Sequence, residues 1–230
     1  MTKPFPRGQY GVIYIDPPWK YHMWSEKGYE KSPEAHYPTM TFEEMAAMRD
    51  DILFATGPDA VMFMWTTWGA DPDTKTDHLQ QALDLMRLYG FERKTGGAWA
   101  KLTRHGKQGF GQGYIMRSSS EPFLIGTIGN PRVKHRSQRN QIFTGDVPEN
   151  LHDLGIMINC LAREHSRKPD EVPKMLEGLF DGPYLEVFGR TERENWTVWG
   201  NETDKFLPSK IDETTEKLCR QSIFDSVVCA

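Results

Sequence analysis

The sequence predicts an α/β protein built on a mostly parallel sheet with helices on both faces. Short apolar runs that read as buried strands alternate along the chain with segments whose apolar residues recur at helical spacing. Two residues suited to a site, Asp16 and Gly189, fall just past the ends of such strands, where ligands bind in sheets of this kind.

The elements follow in order. Tyr10 to Ile15, within YGVIYIDPPWKYH, is a short apolar run and reads as a buried strand. A long polar and aromatic loop, Lys20 to Pro38, comes next. TFEEMAAM opens a helix, because Thr41 with Glu44 three residues later forms a capping box. Ala60 to Thr66 reads as a second buried strand. DHLQQALDLMRLYG carries Leu79, Ala82, Leu83 and Met86 on one helical face and stops at Gly90. EPFLIGTIG reads as a strand. KPDEVPKMLEGLF reads as a helix, with Pro169 near its first turn and Val172, Met175, Leu176 and Leu179 as its stripe. YLEVFGR and WTVWGNE close the series as strands. Residues 203–230 form a polar tail with a weak helical stripe, set apart from a domain spanning 1–202.

Composition narrows the class. At 230 residues the chain can bury a substantial core. It has no run of about eighteen apolar residues, so no membrane span is expected, and its first residues lack the apolar stretch of a signal peptide. The three cysteines are scattered without C-x-x-C spacing, which points to a reducing compartment and no structural zinc. The seven histidines show no ligand spacing, and no metal is expected. Net charge is −4, but Phe91 to Gly145 holds ten basic residues against two acids. That glycine-rich and aromatic segment reads either as a solvated loop or as a polyanion-binding surface.

The chemistry concentrates where the first strand ends. Asp16 leaves the sheet. Pro17 and Pro18 have fixed φ and no N–H, so their carbonyls remain as rigid acceptors. Trp19 follows as a broad ring. An acceptor pair beside an aromatic face suits an exocyclic amine on a flat heterocycle. Such an amine is a poor nucleophile, because its lone pair is delocalised into the ring. Two acceptors can aim that lone pair at an electrophile, and positioning of this kind is worth roughly 7–11 kcal/mol at best.

DPPW resembles the catalytic motif of S-adenosylmethionine-dependent amino-methyltransferases. Asp in the first place is typical of adenine enzymes, Ser or Thr of cytosine enzymes and Asn of protein-glutamine enzymes. From about Tyr10 to Glu202 the chain resembles the family founded on the seventy-kilodalton adenosine-methylating subunit of the mRNA methyltransferase, with its bacterial and phage members. YPTM, MFMWTT, YGFERKTGGAWAK, EPFLIGTIGNPR, REHSRKPDEV, LEVFGR and NWTVWGNE carry the resemblance in that order. It implies a Rossmann-like methyltransferase sheet with permuted motif order, the catalytic strand preceding the cofactor strand.

The resemblance also implies roles. Asp16, Pro17, Pro18 and Trp19 would form the catalytic motif, with Asp16 also bordering the cofactor, S-adenosyl-L-methionine. Lys168 would contact the cofactor's methionine carboxylate. Glu186, Phe188 and Arg190 on one strand end, with Asn201 and Glu202 on the next, would hold its adenosine half. Trp19, Tyr21, His22, Tyr37, Arg132, Lys134, Arg136 and Arg139 would meet the nucleic acid, with DNA preferred and RNA the alternative. A cytoplasmic enzyme of a bacterium or an infected cell is expected, with a homodimer or heteromeric partner left open. Two rivals are a catalytically inactive partner subunit, opposed by the intact DPPW, Lys168, Arg190 and Asn201, and a protein methyltransferase, opposed by Asp at position 16.

Overall fold

The computed structural model describes residues 3–20, 38–103, 109, 117–134, 156–161, 167–201 and 203. Its strands are β1 (Tyr10–Ile15), β2 (Thr56–Trp65), β3 (Glu92–Leu102), β4 (Ser120–Ile128), β5 (Ile156–Leu161), β6 (Tyr184–Val187) and β7 (Trp196–Trp199). The helices are α1 (Phe42–Ala46), α2 (Arg49–Ala55), α3 (His78–Leu88) and α4 (Glu171–Leu179). The strands form one sheet in the order β5-β3-β4-β2-β1-β6-β7. β1 pairs in parallel with β2 and β6, β6 with β7, and β3 with β5. β4 alone runs the other way, antiparallel to both β2 and β3. The carboxyl ends of β1, β2, β3, β6 and β7 therefore share one edge of the sheet with the amino end of β4.

The sheet is buried on both faces, which explains the uninterrupted apolar run of β1. Ile13, Ile15, Met62, Met64, Leu185 and Val187 face one layer, where Met45 of α1, Ile52 of α2 and Ala82, Leu85 and Met86 of α3 cover them. Val12, Tyr14, Val61, Phe63 and Trp65 face the other, covered by Val172 and Leu176 of α4 and by Trp196. Ile13 and Ile15 are fully buried, so truncating either to alanine should cost about 2–5 kcal/mol. A buried hydrogen bond from the Trp65 indole N–H to the Tyr14 hydroxyl, 2.8 Å, joins β2 to β1.

The local signals act as chemistry requires. Thr41 and Glu44 form the reciprocal capping box at the start of α1. α3 ends at Leu88, and Gly90 follows at φ +82°, a conformation that side chains rarely adopt. Four elements depart from expectation. α2, β3 and β5 were not expected: β3 lies within the basic segment, and most of its residues are exposed or half-buried. β2 begins at Thr56 rather than Ala60, with Pro58 and Asp59 in an exposed irregularity of the β1–β2 pairing.

Candidate active site

β1 delivers Asp16 to the shared edge. Its backbone N–H still donates to Val187 on β6, at 3.4 Å, and the two prolines then end the ladder. The Pro17 carbonyl accepts the Trp19 N–H at 2.8 Å, and the Pro18 carbonyl accepts the Met40 N–H at 3.0 Å. The turn is thus pinned from both sides, and each carbonyl keeps a second lone pair.

This turn overturns the expectation for Trp19. The ring is no open stacking platform. It is 6% exposed, lies 5.3 Å from the His78 ring, and donates its indole N–H to the Trp65 carbonyl at 3.3 Å. The tight turn at the prolines folds the indole back onto the layer formed with α1–α3. Trp19 wedges the motif against the core.

A cleft opens beside Asp16. It is lined by Asp16, Pro17, Pro18, Pro38, Phe188, Gly189, Arg190 and Asn201 and holds about 480 Å³ of space, part of it open to solvent. The wall opposite Asp16 comes from the ends of β6 and β7, two strands that must approach closely. The Gly189 N–H donates to the Trp199 carbonyl at 3.0 Å. A Cβ on Gly189 would stand 2.3 Å from Val198 Cγ1, and one on Gly200 2.2 Å from the Gly189 oxygen. Both glycines are therefore fixed by contact.

Phe188 adopts φ 64°, left-handed for a residue with a side chain, at a cost of about 1–2 kcal/mol. This bend breaks the strand alternation expected of Glu186, Phe188 and Arg190. Phe188 packs on Trp199, ring centroids 5.8 Å apart, on the layer of α1–α3. Glu186 does not line the cleft. Its Oε2 accepts from Arg193 Nε at 2.7 Å, and Arg193 also donates to Asp170 at 2.8 Å. Burial pushes the Glu186 carboxyl above its usual range, against the pull of Arg193 and with the push of Asp16 and Asp170. Glu186, expected at the cofactor, is held by Arg193 in this buried ion pair.

Lys168 does reach the site. Its ammonium lies 3.0 Å from Asp16 Oδ1 and 3.3 Å from Glu121 Oε2, and 5.8 Å from the centre of the Trp65 ring. Glu121 also pairs with Lys101. Burial opposes ionisation of Glu121, but Lys168 and Lys101 outweigh it and hold the carboxyl below the usual carboxylate range.

The structure brings together Asp16, Pro17, Pro18, Lys168, Phe188, Arg190 and Asn201. It does not bring Arg132 and Lys134 to them. β4 is antiparallel, so the chain leaving it emerges at the opposite edge of the sheet. There Lys134 pairs with Asp181 at 3.1 Å and donates to the Glu177 carbonyl at 2.9 Å. At about 3.3 Å per residue, the length of β1 sets that edge some 17 Å from Asp16. The basic segment is thus divided between both edges: Arg93, Lys94, Arg132 and Lys134 at one, Lys101 and Arg117 at the other. Tyr21, His22, Tyr37, Arg136, Arg139 and Glu202 lie outside the described residues.

Glu121 and Arg193 were not anticipated. Glu121 heads a buried strand as Asp16 ends one, and that carboxylate was the signal. It points to the site only once the direction of β4 is known. Arg193 gave no comparable signal. Among the described residues no three His, Cys, Asp or Glu converge as metal ligands, and no helix is long and apolar enough to cross a membrane.

A family model described as MT-A70 matches residues 10–202. The N(6)-adenosine-methyltransferase MT-A70-like protein of Drosophila melanogaster is 28% identical over 206 residues, covering 86% of this chain and 27% of the relative. The human N(6)-adenosine-methyltransferase catalytic subunit METTL3 is 27% identical over 206 residues, covering 86% and 29%. A Mycoplasma type II methyltransferase, M.MunI, is 28% identical over 221 residues, covering 86% and 79%. The chain spans under a third of the length of these two animal relatives.

Proposed function

The chain belongs to the MT-A70 family, and from that premise we propose that it transfers a methyl group from S-adenosyl-L-methionine to the exocyclic N6 amine of adenine in nucleic acid. The observation that carries this reading is Asp16, held rigidly at the end of β1 in the wall of a cleft whose other wall is the Phe188–Arg190 turn and Asn201.

The cleft fits the cofactor in kind. Gly189 lines it in a close contact with β7 that leaves no room for a Cβ, and Arg190 and Asn201 offer donors and an acceptor suited to ribose hydroxyls and an adenine edge. Bound there, S-adenosylmethionine supplies an electrophilic methyl group. The protein's part is to hold the nucleophile. Asp16 Oδ1 is taken by Lys168, and Oδ2 accepts one hydrogen of the target amine. The second lone pair of the Pro17 carbonyl accepts the other. The amine nitrogen is thereby drawn toward tetrahedral geometry, and the Asp16 carboxylate favours the positive charge that develops on it. Lys168 balances the charge of Asp16 at 3.0 Å. In this reading it would also hold the cofactor's methionine carboxylate.

DNA is the preferred substrate, and in duplex DNA the target base must leave the stack. Of the relatives named, the one whose length the chain most nearly spans is a type II methyltransferase. RNA is the second reading, since other relatives are named adenosine-methyltransferases. A partner chain belongs to the reading as well, because METTL3 is named a subunit. The test is incubation with labelled cofactor and separate DNA and RNA pools, followed by nucleoside mass spectrometry. Labelled N6-methyladenine from either pool supports the reading and identifies the substrate. Label only in cytosine, in protein, or nowhere rejects it.

A further inference from the structure

We propose that Arg193 is the positioning residue for the Lys168–Asp16 contact and acts through Asp170. The inference rests on the reading of Asp16 as the amine acceptor. Arg193 lies in the turn between β6 and β7 and uses two edges of its guanidinium: Nε on Glu186 at 2.7 Å, and a terminal nitrogen on Asp170 Oδ1 at 2.8 Å. Arg167 takes the other Asp170 oxygen at 2.9 Å. Asp170 is therefore gripped by two guanidiniums, and all four side chains are largely buried.

Two features show that this grip sets position. Asp170 occupies the N-cap of α4 but makes no side-chain cap bond, although aspartate at that place ordinarily bonds the free N–H groups of the first turn. Its carboxylate is committed to the arginines instead. Lys168 lies two residues before it, and Pro169 between them has a fixed φ, so the segment is stiff. At its other end Arg193 holds Glu186, which is in register with Tyr14, two residues before Asp16 on the neighbouring strand. Arg193 thus ties the segment carrying Lys168 to the strand pair that ends in Asp16.

Among the described residues, the charged and titratable groups facing this cluster are Tyr14 on β1 and Asp16 just past it, Glu186 from β6, and Arg167, Lys168 and Asp170 from the segment before α4. Buried ion pairs of this kind are weak stabilisers, because desolvation consumes most of the attraction. A geometric role accounts for the arrangement better than a stabilising one.

The test is a two-by-two cycle of Arg193→Met and Lys168→Met, read as turnover at saturating cofactor. Arg193→Met should lower turnover by about tenfold or more in the native background, yet by no more than about twofold when Lys168 is already methionine, since nothing remains to position. Losses that simply multiply overturn the proposal. Arg193→Lys, which keeps one of the two bonds, should fall between, and it replaces Arg193→Met in the cycle if that variant does not fold. A second readout needs no activity: acylation of lysines by an amine reagent, mapped by mass spectrometry. Lys168 should label about fivefold faster in the Arg193 variant, with Lys101 as internal reference. An unchanged Lys168 rate overturns the proposal. Absence of methyl transfer by the native protein would reject the functional reading and leave the labelling result to judge Arg193.

Discussion

Replacing Asp16 by asparagine isolates charge from shape. Asn keeps the volume of the side chain that lines the cleft and the backbone N–H that donates to Val187. It loses the anion that faces Lys168 at 3.0 Å. Two losses follow for the reaction. The amine forfeits a charged acceptor, a bond worth about 1.5–3 kcal/mol, and the Asn NH₂ can meet it donor to donor. The charge developing on nitrogen also loses its stabilising partner. Removal of one preorganised polar group from an active site typically costs about 2.7–4 kcal/mol, or a factor of about 10² to 10³ in rate. The assay is single-turnover transfer of labelled methyl to an adenine-containing oligonucleotide. Calorimetry with S-adenosylhomocysteine serves as control, because Arg190 and Asn201 are untouched. Turnover should fall by about a hundredfold or more while cofactor-product affinity changes little. Asp16→Ala should be at least as impaired. If Asp16→Asn retains turnover within about threefold of the native value, a difference smaller than one ordinary hydrogen bond, the carboxylate is not the amine acceptor and the mechanism fails.

Three other outcomes are expected. Gly189→Ala should abolish stabilisation by S-adenosylhomocysteine in thermal melts, because its Cβ would lie 2.3 Å from Val198 Cγ1 and force the wall of the cleft to shift; an unchanged thermal shift would place the cofactor elsewhere. Arg132→Ala with Lys134→Ala should leave nucleic-acid affinity and its salt slope unaltered, since Lys134 pairs with Asp181 at the far edge of the sheet; a slope reduced by about two would return these residues to the interface. The Glu121 carboxyl is depressed in the folded protein, so its contribution to stability is complete above the unfolded value of about 4.3 and fades as pH falls through the lower folded value. Glu121→Gln should therefore lose less stability than the native protein over that acid window, read as Tm against pH; parallel curves would mean that Glu121 is not held in its ion pairs.

Much of this was legible in the sequence. β1 was readable because a strand covered on both faces has no polar positions to confuse it, and Asp16 stood out as the first residue to break that run. The box of Thr41 and Glu44 and the stop at Gly90 were readable because single residues satisfy those helix ends. Strand direction was not. The reversal of β4 is decided by pairing with β2 and β3, which leaves no periodic signal, and on it turned both the recruitment of Glu121 and the exclusion of Arg132 and Lys134. β3 was hidden because so few of its residues are buried. Trp19 was misread because the two prolines fix a turn without revealing toward which side it folds. Arg193 was silent, because a surface arginine and a clamping arginine have the same local sequence.

The charges at this edge of the sheet fall into two alternating chains: Lys101, Glu121, Lys168, Asp16 and Arg167, Asp170, Arg193, Glu186. Each is neutral as a whole, so these eight groups exert little net field beyond a Debye length of about 8 Å. An unpaired Asp16 would repel an approaching phosphodiester; one balanced by Lys168 does not, and in the proposed mechanism its other oxygen would serve as the acceptor for the substrate. In the proposed mechanism that acceptor would have a defined selectivity. An exocyclic amine offers hydrogens to it, whereas a keto oxygen in the same place would set acceptor against acceptor. Asp16 would therefore distinguish adenine from guanine at the six-position and cytosine from thymine at the four-position, but could not by charge alone tell adenine from cytosine. That second discrimination is one of ring size. In the proposed mechanism it would fall to the surfaces beside Asp16, where Pro17, Pro18 and Pro38, each with a fixed φ, line the cleft.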